Sequence, residues 1–272
     1  MSCLCALTRH PLRISGRLMW LGAEMALAAM RFFFWVALSP QRSPLTRARW
    51  LQRSSVRVLR VFGVEFEAHG ATPETGLLIC NHLSYLDVLA LAAITPAVFV
   101  AKREVKQWPL LGWFARLAGT VFVDRQKRSQ VGAANEEIAT ALNSGVLTVL
   151  FPEGTSSDGQ TVLPFKSALL EPAIAQTCPV WAGLIEYRLA EGDPGEEVCY
   201  WRDMTFLPHL INLLSKAEVQ TRVRFAAVKS RESDRKSLAR RMHSEVLRLR
   251  QEPVPTRVPE NLPQANYCLL QS

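Results

Sequence analysis

The 272-residue chain has no C-x-x-C pair, no G-x-G-x-x-G or G-x-x-x-x-G-K-[ST] loop, and no H-E-x-x-H. The first absence removes the usual zinc spacing, and the others remove the signals of a dinucleotide site, an ATP site and a zinc protease. A G-x-S-x-G elbow is also missing, since Gly154-Thr-Ser-Ser-Asp-Gly159 is one residue too long. The six cysteines, at positions 3, 5, 80, 178, 199 and 268, form no disulfide framework and read as free thiols in a reducing compartment. There is no internal repeat and no low-complexity tract. Hydrophobic residues make up 49% and charged residues 21%, with a mean hydropathy of +0.06. These values exclude a disordered chain, a collagen and a polytopic membrane protein.

Residues 1–60 lack lysine altogether and contain one acid, Glu24, against ten arginines. That block carries +9, residues 61–215 carry −7, and residues 216–250 carry +7. An acidic middle is a poor nucleic-acid-binding core, so no nucleic-acid partner is expected. The N-terminal arginines are interleaved with Trp20, Phe32, Phe33, Phe34, Trp35 and Trp50, a mixture suited to an anionic membrane surface. Leu18–Leu38 is long enough to span a bilayer. However, Glu24 and Arg31 lie seven apart on nearly the same helical face, and arginines flank the segment on both sides. A helix lying in or dipping into the interface is the favoured reading over a span. Arg49, Arg53, Arg57 and Arg60 recur at helical spacing and read as a stripe facing headgroups.

From Gly63 onward short apolar runs alternate with helical stretches. Strands are predicted at Gly76–Cys80, Ala97–Ala101, Thr120–Val123, Val146–Phe151 and Val180–Tyr187, with helices between them at about Ser84–Ala93, Lys106–Leu117, Ser129–Asn143 and Ser167–Gln176. The alternation predicts an α/β fold: a mostly parallel central sheet flanked by helices, preceded by the membrane-associating helical segment. Val219–Val228 reads as an edge strand and Ser233–Gln251 as a basic amphipathic helix. The predicted organisation is a membrane-associating region (1–60), an α/β domain (61–251) and an irregular, proline-containing tail (252–272).

Three polar segments follow apolar runs, at the strand ends where α/β sheets bind ligands. The first is Asn81-His82-Leu83-Ser84-Tyr85-Leu86-Asp87. Within one helix, five residues would set His82 and Asp87 about 140° apart. With His82 in the turn and the helix starting near Ser84, the carboxylate folds back to the imidazole. An aspartate on one ring nitrogen fixes the tautomer and makes the other nitrogen a better base. Ser84 and Asp87 also resemble a capping box, and both readings hold together. The second segment ends in Asp124-Arg125 and the third is Phe151-Pro152-Glu153-Gly154-Thr155-Ser156-Ser157. Read separately, these two are a solvated strand exit and a simple turn.

Together the three segments resemble the lysophospholipid acyltransferase family that includes 1-acylglycerol-3-phosphate acyltransferase. The hallmark N-H-x-x-x-x-D is matched by Asn81, His82 and Asp87, the arginine after a short strand by Arg125, and F-P-E-G-T by Phe151 to Thr155. The resemblance covers roughly residues 60–190. It implies that His82 is the general base and Asp87 its partner, and that Arg125, Glu153, Gly154 and Thr155 shape the acceptor site. Lys102 and Lys166 stand in family-like stretches and are expected to help bind phosphate. The implied reaction moves an acyl group from acyl-CoA or acyl-carrier protein, as substrates, to a lysolipid hydroxyl. The acceptor expected first is 1-acylglycerol-3-phosphate, giving phosphatidic acid at the cytoplasmic face of the membrane, with no metal or bound cofactor. Two departures bear on the acceptor: Ala182 follows Pro179-Val180-Trp181 where a second proline is usual, and Ser167 replaces a common glycine. The wording Phe-Pro-Glu-Gly-Thr-Ser-Ser-Asp-Gly also resembles bacterial lyso-ornithine lipid acyltransferases. Readings from outside this activity are a serine hydrolase using Ser84 or Ser156 and a non-catalytic membrane lipid-binding protein.

Overall fold

The structure, a computed structural model, describes residues 10–38, 43–108, 110–124, 131–229 and 232–253. Arg125 and most of the expected tail lie outside the described residues. Two helices come first. Helix α1 (Pro11–Arg31) runs into a π-helical turn at Phe32–Ala37, and α2 (Pro44–Phe62) packs back against it. Ser43 caps α2, its Oγ accepting the Thr46 N–H at 3.2 Å, and Pro44 supplies the preset first turn. Gly63 ends the helix at φ +67°, where a Cβ would meet the Ala217 carbonyl oxygen at 2.7 Å.

The strands are β1 (Val64–His69), β2 (Leu77–Cys80), β3 (Ala97–Lys102), β4 (Val121–Val123), β5 (Leu147–Leu150), β6 (Val180–Arg188) and β7 (Val219–Val228). They form one sheet in the order β1-β7-β6-β2-β5-β3-β4, and every pairing except β6 with β7 is parallel. All four residues of β2 and of β5 are buried, as expected for central parallel strands covered on both faces. Alternate residues feed two cores. Leu78, Cys80, Phe99, Val149 and Tyr187 pack with α2 and α3 (Leu86–Ile94) on one face. Ile79, Val98, Leu150 and Leu184 pack on the other with α5 (Val131–Asn143), α6 (Glu171–Ala175) and α9 (Arg235–Gln251).

The architecture matches the expected class, with local corrections. Val219–Val228 is not an edge strand: β7 lies between β1 and β6, and the unpredicted β1 takes the edge. The expected helix Lys106–Leu117 is divided between a 3-10 turn at Arg103–Gln107 and α4 (Leu111–Leu117). Trp108 between them is extended (φ −65°, ψ 132°), as a residue before proline prefers. Helices α7 (Pro194–Glu197) and α8 (Phe206–Ser215) were not predicted.

Of the expected arginine stripe on α2, Arg49, Arg53 and Arg60 are exposed and Arg57 is partly buried. Arg57 pairs with Glu24 on α1 at 2.8 Å, and Arg53 lies over the Trp35 ring. Arg13 donates to the Ser215 carbonyl oxygen, and Arg17 to those of Leu214, Lys216 and Ala217, where cations complement a helix C-terminus. At 100° per residue, Arg13, Arg17, Glu24 and Arg31 fall within about 40° of one another on α1. Leu12, Met19 and Met30 align on another side and are exposed at 89%, 78% and 52%. The helix therefore turns its paired charges toward the protein and an uncharged stripe outward.

Candidate active site

Strand β2 delivers Asn81 and His82 to the carboxyl end of the sheet. The Asn81 side chain extends the ladder beyond the strand, its Nδ2 donating to the Ile185 carbonyl oxygen (3.0 Å) and its Oδ1 accepting the Ile185 N–H (2.8 Å). This amide anchors β2 to β6 at the point where the chain must turn.

Asp87, in the first turn of α3, is fully buried. Its Oδ2 accepts the backbone N–H of Leu83 (2.7 Å) and Ser84 (3.0 Å) and lies 2.7 Å from His82 Nδ1. The carboxylate thus organises the turn and holds the imidazole at once; it forms one half of the expected capping box, whereas the Ser84 hydroxyl makes no cap bond among the described residues. An ionised carboxylate only accepts, which places the proton on Nδ1 and a lone pair on Nε2. The His82 side chain is 24% exposed, and Nε2 has no hydrogen bond among the described residues. Tyr187 of β6 donates its phenol hydrogen to Asp87 Oδ1 at 2.6 Å. Tyr187 was missed as a site residue because, on a buried strand, it reads as core.

The Phe151–Ser157 segment wraps the same histidine. The Phe151 ring stacks on the imidazole at 4.3 Å between centroids and 19° between planes. Glu153 Oε1 accepts the His82 N–H at 3.1 Å, and the Ser157 N–H donates to the His82 carbonyl oxygen at 3.0 Å. Gly154 makes this turn possible at φ +77°. Glu153 is 2% exposed, and burial, reinforced by the Asp87 charge, pushes its carboxyl up to about 8. It is therefore mainly a neutral acid at pH 7. Thr155 is exposed beside it.

The other expected residues gather at the neighbouring strand ends. Lys166 and Asp124 line a cavity of about 190 Å³ whose walls include Val123, Leu150 and Pro152. Lys102, exposed at the end of β3, is in register with Val123, and Arg103 approaches Asp124 at 3.5 Å. Neither candidate serine engages the imidazole. Ser84 Oγ is buried without a hydrogen-bond partner among the described residues, and Ser156 Oγ donates to the Tyr200 carbonyl oxygen.

A second network supports the loop from behind. His209 of α8 lies 3.1 Å from the Cys199 carbonyl oxygen through Nε2 and 3.0 Å from the Tyr85 hydroxyl through Nδ1. Burial holds this imidazole down to about 4, so it is neutral, donating through Nε2 and accepting from Tyr85.

Residues 63–185 match the family model described as Acyltransferase. The chain is 36% identical over 220 residues to the lyso-ornithine lipid O-acyltransferase of Brucella abortus, covering 75% of this chain and 82% of that protein. It is 34% identical over 171 residues to the 1-acyl-sn-glycerol-3-phosphate acyltransferase of Neisseria meningitidis serogroup B, covering 58% and 67% respectively. Its fold is similar to the crystal structure of the 1-acyl-sn-glycerophosphate acyltransferase PlsC from Thermotoga maritima. The TM-score is 0.56 at 20% identity, covering 90% of this chain and all of that one.

Proposed function

The chain belongs to the lysophospholipid acyltransferase family, and from that premise we propose that it acylates the free hydroxyl of a lysolipid with His82 as the general base. The observation that carries this reading is the imidazole itself, with Nδ1 on a buried carboxylate and Nε2 without a hydrogen bond among the described residues. Nε2 takes the hydroxyl proton as the lysolipid oxygen attacks the thioester carbonyl carbon. Collapse of the tetrahedral intermediate breaks the C–S bond, and the imidazolium returns the proton to the departing thiolate. Asp87 stabilises the imidazolium, and backbone N–H groups of the Gly154 turn are assigned to the oxyanion. Glu153 positions His82 through its backbone. This route uses acyl-CoA or acyl-carrier protein as substrate and calls for no metal or bound cofactor.

For the acceptor, the leading reading is 1-acylglycerol-3-phosphate, with Lys166, Lys102 and Arg125 assigned to bind the phosphate. Lyso-ornithine lipid is a second reading favoured by two observations. The Brucella relative is matched over more of both chains, and the cavity beside the site presents Lys166 together with Asp124, a mixed-charge pair suited to a headgroup with a carboxylate and an amine. We assign the enzyme to the bilayer surface, at the cytoplasmic face where water-soluble thioesters reach it; the outward stripe of α1 supports the membrane contact.

The test is mass spectrometry of lipids after incubation of the purified protein with acyl-CoA and a panel containing both acceptors. A diacylated product that depends on both thioester and lysolipid is expected. Release of free fatty acid without an acylated product would favour a hydrolase. Lipid binding without turnover would favour the non-catalytic reading.

A further inference from the structure

Asp87 has two oxygens, and only one serves the histidine. Oδ2 collects His82 Nδ1 and the N–H groups of Leu83 and Ser84, whereas Oδ1 receives the Tyr187 phenol at 2.6 Å, its one hydrogen bond among the described residues. A carboxylate turns about its Cβ–Cγ bond, so three donors on one oxygen do not by themselves fix the plane. A donor on the second oxygen does. Tyr187 reaches it from β6, a strand that Asn81 locks to β2 through Ile185, two residues before Tyr187. The same backbone rung that sets His82 therefore also sets the height of the phenol.

We propose that Tyr187 is a positioning residue of the His82–Asp87 pair, holding the carboxylate plane so that Oδ2 points at Nδ1 and dispersing the buried charge across Oδ1. The proposal rests on reading His82 as the base. Charge at the site is consistent with it. The titratable groups around Asp87 are Tyr187 of β6, Cys80 of β2, Cys199, and Glu153 of the loop after β5. Burial and the Asp87 charge push all four up, so each is mainly neutral at pH 7. A charge so enclosed depends on its hydrogen-bond donors, and Tyr187 provides the one on Oδ1.

The decisive variant is Tyr187→Phe, which keeps the packed ring and deletes the donor. The expected result is a fall in kcat of about tenfold with KM unchanged, since a hydrogen bond to a charged group corresponds to a factor of that order and the buried phenol does not reach substrate. The acid limb of the kcat/KM profile should move to higher pH by about one unit, because the pair takes up a proton more readily once the charge is confined. A purely structural role would not move this limb. Combined with Asp87→Asn, the same change should cost little more, giving a non-additive cycle. Additive losses, or a fall in rate with the acid limb unmoved, would overturn the proposal, as would an unchanged rate. If Tyr187→Phe melts early, the cycle is read at a temperature where it is folded. A His82→Ala control separates the two readings: retained turnover there refutes the base, whereas lost turnover with an unaltered Tyr187→Phe refutes only the positioning role.

Discussion

Glu153 is the residue whose ionisation departs most usefully from its free chemistry. Burial pushes it up to about 8, whereas an unfolded glutamate titrates near 4.3. The folded chain then holds a proton that the unfolded chain releases. The stabilisation is full below the unfolded value and is lost as pH rises through the folded one. Glu153→Gln keeps an oxygen for the His82 N–H and cannot ionise. Relative to this variant, the wild type should lose stability between about pH 4.5 and 8, by on the order of 5 kcal/mol, and then level off. Thermal melts of both proteins across that range check it, and parallel curves would contradict it. The Gln variant should also keep most of its turnover at pH 7, since the neutral acid and the amide offer His82 the same acceptor. From sequence Glu153 was expected to shape the acceptor site; its hydrogen bond to the backbone 71 positions away is a tertiary fact that no local spacing contains.

At the scale of elements, what could be read in advance follows a pattern. The buried runs that became β2, β3, β5 and β6 announce themselves, because central parallel strands are apolar on both faces. The turn from His82 to Asp87 was legible too, since five residues suit a loop entering a helix. By contrast β1 (Val-Glu-Phe-Glu-Ala-His) has alternating polarity and a place set only by its pairing with β7, more than 150 residues later. Helix α8 carries Pro208 in its first turn, where proline is tolerated but masks the pattern. On α1 the shared face of Glu24 and Arg31 was legible, but the partners of Glu24, Arg13 and Arg17 depend on the docking of α2 and α8. The outward stripe gives a test at this scale. Met19→Glu with Met30→Glu adds charge to two exposed positions outside the core, so the melting temperature should hold. Binding to anionic vesicles should weaken by more than tenfold, because each buried methionine contributes about 1.5–3 kcal/mol. Unchanged sedimentation with vesicles would mean that this stripe does not meet lipid.

On the proposed reading, the whole molecule brings together two substrates that live in different solvents. The sheet holds His82 at the carboxyl end of β2, between Asp87 of α3 and Glu153 after β5. Helix α1, held by Glu24–Arg57 and by the carbonyls at the end of α8, turns its uncharged stripe outward, and α2 exposes Arg49, Arg53 and Arg60. On that reading, the lysolipid hydroxyl would meet His82 from the bilayer and the thioester would arrive from water. The measurement that tests this account most directly is the steady-state acylation rate of His82→Ala beside the wild type, with the lysolipid that mass spectrometry selects. General-base catalysis of this kind contributes about 10²–10⁴-fold. The account predicts a loss in kcat of that size, with stability within about 1 kcal/mol of wild type because the ring is partly exposed at the sheet end. A folded His82→Ala protein that turns over at a rate close to wild type would contradict it.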